Sequence, residues 1–133
     1  MNQGVWHGAT GTAKLLGMRI DRDRPDGSAL VSMTVTDDHT NRHGNMHGGL
    51  IATVLDTAMG ATASLIRGER GAIPFSTISL TVNYLAPVPL GSISASARVL
   101  GGGFKTVFME GEARAGDGTL VAQATGTFKR API

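Results

Sequence analysis

The sequence predicts an α+β fold, one long helix followed by strands, and three observations carry that prediction. The segment Leu50 to Ile66 spaces its apolar residues helically and holds a single charge, Asp56. Beyond residue 75 the chain alternates apolar and polar residues with a period of two. Turns bearing Gly or Pro separate these alternating runs. With 133 residues, 41% of them apolar, the chain can build one real core and is too short for two comfortable domains.

Residues 1–13 are Gly- and Thr-rich without a pattern, so a flexible N-terminal segment is expected there, with 14–133 as a single domain. Met1 to Met18 holds no basic stretch followed by an apolar run and a small-residue cleavage site, and no signal peptide is expected. Asp21 to Gly27 is a polar turn. Ala29, Val31, Met33 and Val35 then alternate with Leu30, Ser32, Thr34 and Thr36, which predicts a strand. The helix over Leu50 to Ile66 is too short and too polar for a membrane span, with Thr53, Asp56, Thr57, Thr62 and Ser64 in it, and reads as a core helix. Arg67 to Gly71 closes it with two arginines and two glycines, a favourable C-terminal pattern.

Four strands follow. Ser76 to Tyr84 is the cleanest, with Ser76, Ile78, Leu80, Val82 and Tyr84 on one side, and Pro87 and Pro89 close it. Ser92 to Val99, Phe104 to Ala115 and Thr119 to Phe128 complete a meander of four, turned at Gly101-Gly102-Gly103 and at Asp117-Gly118. The resulting plan is one helix packed on one antiparallel sheet.

The chain carries little that suits nucleic acid: a formal charge of +2, scattered Lys and Arg, and few aromatic residues for stacking on bases. Cysteine is absent, which excludes disulfides, thiolate metal sites and a cysteine nucleophile, and fits a cytoplasmic protein. No GxSxG elbow, Walker A loop or GxGxxG fingerprint is present. His39, His43 and His47 recur every four residues. Asn41, Gly44 and Asn45 lie between them and argue for a loop rather than a helical metal face.

The chemistry concentrates in Asn41-Arg42-His43-Gly44-Asn45-Met46-His47-Gly48-Gly49 and in Asp56. Gly48 and Gly49 at the start of a helix leave backbone N–H groups unpaired and unshielded, an oxyanion site in outline. Asp56 has Ala52, Thr53, Met59 and Gly60 as its helical neighbours, so no local salt bridge accounts for a carboxylate expected to be buried. Such a group near the donors could attack, or activate water against, a polarised carbonyl. A purely structural hydrogen-bonding role is the alternative. His47 either orders the loop or contacts substrate. Gly48 and Asp56 lie eight residues apart, about 12 Å along one helix, too far to act on one carbonyl. Two antiparallel helices from two protomers would bring Gly48 of one chain to Asp56 of the other. Lys105, with Arg114, Lys129 and Arg130, could meet phosphates at the rim. Phe75, Met46, Met59 and Leu55 are candidate pocket residues or ordinary core.

Asn41, His47-Gly48-Gly49, Asp56 and the run Thr77 to Tyr84 with Pro87 and Leu90-Gly91 resemble the hot-dog-fold acyl-CoA thioesterases of the phenylacetate-pathway (PaaI-like) type. The resemblance runs from about Leu15 to Phe128. It implies a hot-dog fold, one long central helix wrapped by a curved antiparallel sheet, paired edge to edge into dimers and usually into dimers of dimers, a homotetramer. It also implies that Asp56 is nucleophile or base, that the Gly48 N–H polarises the thioester carbonyl, and that Asn41 positions the carbonyl or the water. Thr77 matches the hydroxyl that orients water. Strict alternation instead turns Ser76 toward the helix, so Ser76 is kept as the second candidate. Gly49 and Lys105 complete the expected substrate contacts. No metal and no bound cofactor are implied, and coenzyme A enters only as part of the substrate. The expected activity is hydrolysis of an acyl-CoA, arylacetyl or another small acyl group, to free acid and coenzyme A. The rivals are a non-catalytic acyl-CoA binding module and a hot-dog hydratase or dehydratase.

Overall fold

A computed structural model describes residues 5–7 and 10–132, with the side chains of 5–7 left aside. In chain order the elements are β1 (Val5–His7), α1 (Gly11–Leu16), β2 (Arg19–Asp21), β3 (Leu30–Val35), a 3-10 turn (Asp37–His39), α2 (Gly48–Arg67), β4 (Phe75–Tyr84), β5 (Gly91–Gly102), β6 (Thr106–Ala115) and β7 (Leu120–Arg130). Every described strand pairing is antiparallel, in one sheet ordered β1-β2-β3-β5-β6-β7-β4.

α2 lies on one face of this sheet. Ile51, Val54, Leu55, Ala58, Met59 and Ala63 bury one side of the helix against Val31 and Met33 of β3, Ile93 and Ala95 of β5, Val107 and Met109 of β6, and Val121, Ala124 and Phe128 of β7. By length and composition α2 could cross a bilayer, yet its apolar stripe faces protein, as the core-helix reading expects. Its buried hydroxyls serve the backbone: Thr62 Oγ1 accepts from the Ala29 N–H at 3.1 Å, and Ser64 donates to the Ile73 carbonyl at 2.6 Å. Leu55 and Met59, offered as pocket residues, are fully buried core instead.

Three expectations need correction. First, structure begins before residue 14. Thr10 caps α1 by accepting from the Ala13 N–H, Gly17 ends it in the left-handed region, and Ala13 and Leu16 are buried. The small, polar residues of a capped single turn look the same as a loop in composition. Within the expected flexible segment, residues 1–4, 8 and 9 lie outside the described residues.

Second, the last four strands are not a meander of four. β5, β6 and β7 form hairpin-connected neighbours, but β4 pairs with β7 at the far edge, while β5 pairs with β3. The stretch Leu85 to Leu90, with two prolines, is a crossover rather than a hairpin turn.

Third, β4 does not alternate strictly. Thr77 lies opposite Phe128 and Ser79 opposite Thr127, which leaves Ile78 without a partner in a β-bulge. The inserted residue switches the parity of the strand. Upstream, Phe75 and Thr77 face α2; downstream, Leu80, Val82 and Tyr84 do. Ile78 itself is 59% exposed.

Candidate active site

The loop from Asn41 to His47 is a built structure. Asn41 Oδ1 accepts from the N–H groups of His43 (2.9 Å) and Asn45 (3.2 Å), and the Asn41 N–H donates to the Asn45 carbonyl at 2.7 Å. Two backbone donors on one side-chain oxygen fix which way the amide faces. Its NH2 group is left to donate elsewhere, because no described residue accepts from it. Gly44, with φ of 79°, makes the tight turn that returns the chain.

The histidines of the loop also serve the backbone. His39 Nδ1 accepts from the Thr36 N–H at 3.0 Å within the 3-10 turn. His47 is the N-cap of α2, its Nδ1 accepting from the Gly49 N–H at 2.9 Å. The His47 N–H in turn donates to the His39 carbonyl, and the Met46 N–H to the Val88 carbonyl, each at 2.8 Å. These bonds anchor the start of the helix to the crossover after β4.

The two glycines therefore differ. The Gly49 N–H, expected to contact substrate, is taken by His47. The Gly48 N–H has no acceptor among the described residues, and it sits at the positive end of a 20-residue helix. Gly48 lines a cleft of about 380 Å³ with Asn41, Asn45, Met46, Ile51, Tyr84 and Leu85 to Val88. Asn41, Met46 and Gly48 thus line one cleft. Tyr84 is a participant the sequence reading did not single out, and its hydroxyl donates to the Gly48 carbonyl at 2.6 Å.

Asp56 lies two turns further along α2 and does not line this cleft. It is half-buried rather than buried in the single chain. The Thr77 hydroxyl donates to Asp56 Oδ1 at 2.6 Å. The bulge at Ile78 turns Thr77 toward α2 and leaves the exposed Ser76 on the other side of the strand. One sequence signal pointed there: Phe75 is apolar on the parity opposite to Ile78 and Leu80.

Lys105 is exposed at the β5–β6 turn, in a separate cleft with Phe104, Lys129 and Arg130. Arg130 stacks 4.2 Å above the Phe104 ring and donates from Nη1 to the Arg67 carbonyl at the end of α2. The ladder places this basic group at the Thr77 end of β4, since Lys129 pairs with both Ser76 and Thr106.

Along one helix the chain thus presents an N–H donor with no acceptor among the described residues, beside a cleft, and an acid with a hydroxyl partner. Comparison with known proteins gives this arrangement its context. Over 94% of this chain and 81% of the other, the fold superposes with TM-score 0.84 on a Bacillus halodurans protein crystallised with CoA, 28% identical. The E. coli PaaI protein of the phenylacetic acid degradation operon is 29% identical, with TM-score 0.80 over 93% of this chain and 86% of its own. A Thermus thermophilus protein is 32% identical, with TM-score 0.78 over 92% and 98%. These likenesses agree with the hot-dog resemblance seen in the sequence. The thioesterase superfamily model matches residues 43–122, which take in the loop after Arg42, the whole of α2, β4 to β6 and the start of β7. With well over half its length so matched, the chain belongs to the thioesterase superfamily and is a hydrolase of thioesters.

Proposed function

We propose that this thioesterase hydrolyses an acyl-CoA to the free acid and coenzyme A, in sites shared between two copies of the chain. The observation that carries the reading is the Gly48 N–H, without an acceptor among the described residues, at the Asn41 cleft, with Asp56 eight residues along the same helix and bonded by Thr77. A separation of about 12 Å keeps the two groups of one chain from sharing a carbonyl. A second, antiparallel helix brings Asp56 and Thr77 of the partner copy to the first copy's cleft. Pairing of β4, an open edge strand ten residues long, is the route to such a dimer. A dimer of dimers, the homotetramer, builds on it.

In this site the thioester carbonyl accepts from the Gly48 N–H and from the Asn41 amide. Negative charge growing on that oxygen in the transition state is stabilised by both donors. Thr77 spends its one proton on Asp56 Oδ1, so its oxygen can only accept, and it orients a water through one of the water's O–H bonds. Asp56 takes the water's other proton as the oxygen attacks carbon. The tetrahedral intermediate collapses with cleavage of the C–S bond, and coenzyme A departs as a thiolate that needs no strong acid. Direct attack by Asp56, giving an anhydride that water then opens, uses the same groups. Oxygen from labelled water appears in Asp56 after a single turnover only on the anhydride route.

The cleft walls, with Met46, Ile51, Tyr84, Leu85 and Val88, suit an arylacetyl or other small apolar acyl group. Lys105, Lys129 and Arg130 are the candidate partners for coenzyme A phosphates. The cysteine-free sequence accords with a cytoplasmic location.

The test is release of free thiol from a panel of acyl-CoA esters by the native protein and by Asp56→Asn, with sedimentation of both. The expected loss is at least about a hundredfold, with folding and oligomer size intact. Equal release by the two proteins removes Asp56 from the mechanism. An active monomer removes the shared site. No release from any ester leaves a protein that binds acyl-CoA without cleaving it.

A further inference from the structure

α2 begins with two glycines, a poor start for a helix. Glycine is a weaker helix former than alanine, and the first turn lacks intrahelical acceptors for its N–H groups. A start of this kind frays unless side chains from elsewhere hold it. Gly49 is held on both sides, its N–H by His47 Nδ1 and its carbonyl by the Thr53 hydroxyl, each at 2.9 Å. Gly48 is held by one side chain, Tyr84, whose hydroxyl reaches its carbonyl at 2.6 Å. The Tyr84 ring also covers the place where a Gly48 side chain would be, since a Cβ built there would lie 3.4 Å from two ring carbons.

We propose that Tyr84 is a positioning residue: it takes the place of the missing side chain at Gly48 and holds the Gly48 carbonyl, while the His47 carbonyl of the preceding peptide is held by the N–H groups of Leu50 and Ile51, so that the glycine between two anchored peptides cannot swing its N–H away from the cleft. The glycine leaves the donor approachable, and the phenol supplies the rigidity that glycine lacks. The half-exposed ring is at the same time a wall of the cleft. The inference rests on the reading that Gly48 polarises the thioester carbonyl, and it adds the group that makes this donor preorganised.

Tyr84→Phe keeps the ring and the wall and removes only the hydrogen bond. The expected result is a fall in kcat of roughly five- to tenfold, the range of one net hydrogen bond, with KM changed less than twofold, alike across acyl groups. In protein labelled with [15N]glycine, the Gly48 amide resonance should shift in Tyr84→Phe, while that of Gly60, three turns along the same helix, stays in place. An unchanged kcat overturns the proposal even if the variant melts at a lower temperature, because a merely structural prop behaves that way. An unchanged Gly48 resonance overturns it as well. If the native protein releases no thiol from any ester while the Gly48 amide still responds to Tyr84→Phe, the acyl-CoA hydrolase reading falls and the positioning of Gly48 by Tyr84 stands.

Discussion

The two halves of β4 do different work on either side of one unpaired residue. Upstream of Ile78, Thr77 donates a hydrogen bond to Asp56 in the middle of α2; downstream, Tyr84 holds the Gly48 carbonyl at the start of the same helix. Without the bulge the two side chains would sit on opposite faces, because 77 and 84 differ by an odd number. A single inserted residue lets one strand reach both Asp56 and Gly48. Beside the apolar packing of Phe75, Leu80 and Val82, the upstream half meets a carboxylate and the downstream half a backbone carbonyl.

The largest effect on this arrangement is expected from Asp56→Asn, which removes the group that Thr77 meets and leaves the Tyr84–Gly48 contact untouched. Thiol release should fall by about a hundredfold while the Gly48 amide resonance remains in its native position, a combination that steady-state kinetics and NMR read together. A displaced Gly48 resonance would show that the two ends of β4 do not act independently.

A smaller effect tests the upstream half alone. Thr77→Val keeps the shape and removes the donor on Asp56, and a roughly tenfold loss of kcat is expected, the upper range for a hydrogen bond to a charged group being somewhat larger. Thr77→Ser should recover most of it. If valine and serine behave alike, the hydroxyl has no part in the reaction.

The smallest effect concerns the stretch of α2 next to Asp56. A Cβ on Gly60 would lie 3.6 Å from the Phe128 ring, ordinary contact, and the backbone there is helical. Gly60→Ala should therefore stabilise the fold by about 0.5–1 kcal/mol, seen as a higher midpoint in urea with an unchanged slope. A lower midpoint would mean that the Phe128 ring does not accommodate the added methyl group.

Most of the fold was legible because the periodicities are strong. The 3.6-residue spacing over α2 and the alternation in β3 and β5 to β7 report burial directly, and burial is what the sheet and helix share. The strand order was not legible. Pairing of β4 with β7 depends on where the Leu85 to Leu90 crossover leads, and no local pattern encodes that. Of the site, the types and spacing of Asn41, Gly48 and Asp56 were readable, whereas their division of labour was not. Which glycine keeps a free donor depends on the His47 rotamer, and which hydroxyl meets Asp56 depends on a bulge that the alternation of Ser76 to Tyr84 hides. Tyr84 was overlooked because in a clean strand it looks like one more apolar position.

The order of the sheet also has a consequence for how the protein is made. β4 emerges from the ribosome well before its partner, since Phe75 pairs with Arg130 and Tyr84 with Ala122. Until the last strand has been synthesised, β4 has no neighbour on its inner side, and nothing holds Thr77 against Asp56. The pairing closes a loop of some fifty residues, a late and slow event in a topology dominated by non-local contacts. Pulsed hydrogen exchange during refolding should accordingly find amides of β5 and β6 protected before those of β4. Chemistry at this site is thus the final product of folding, withheld from every incomplete chain.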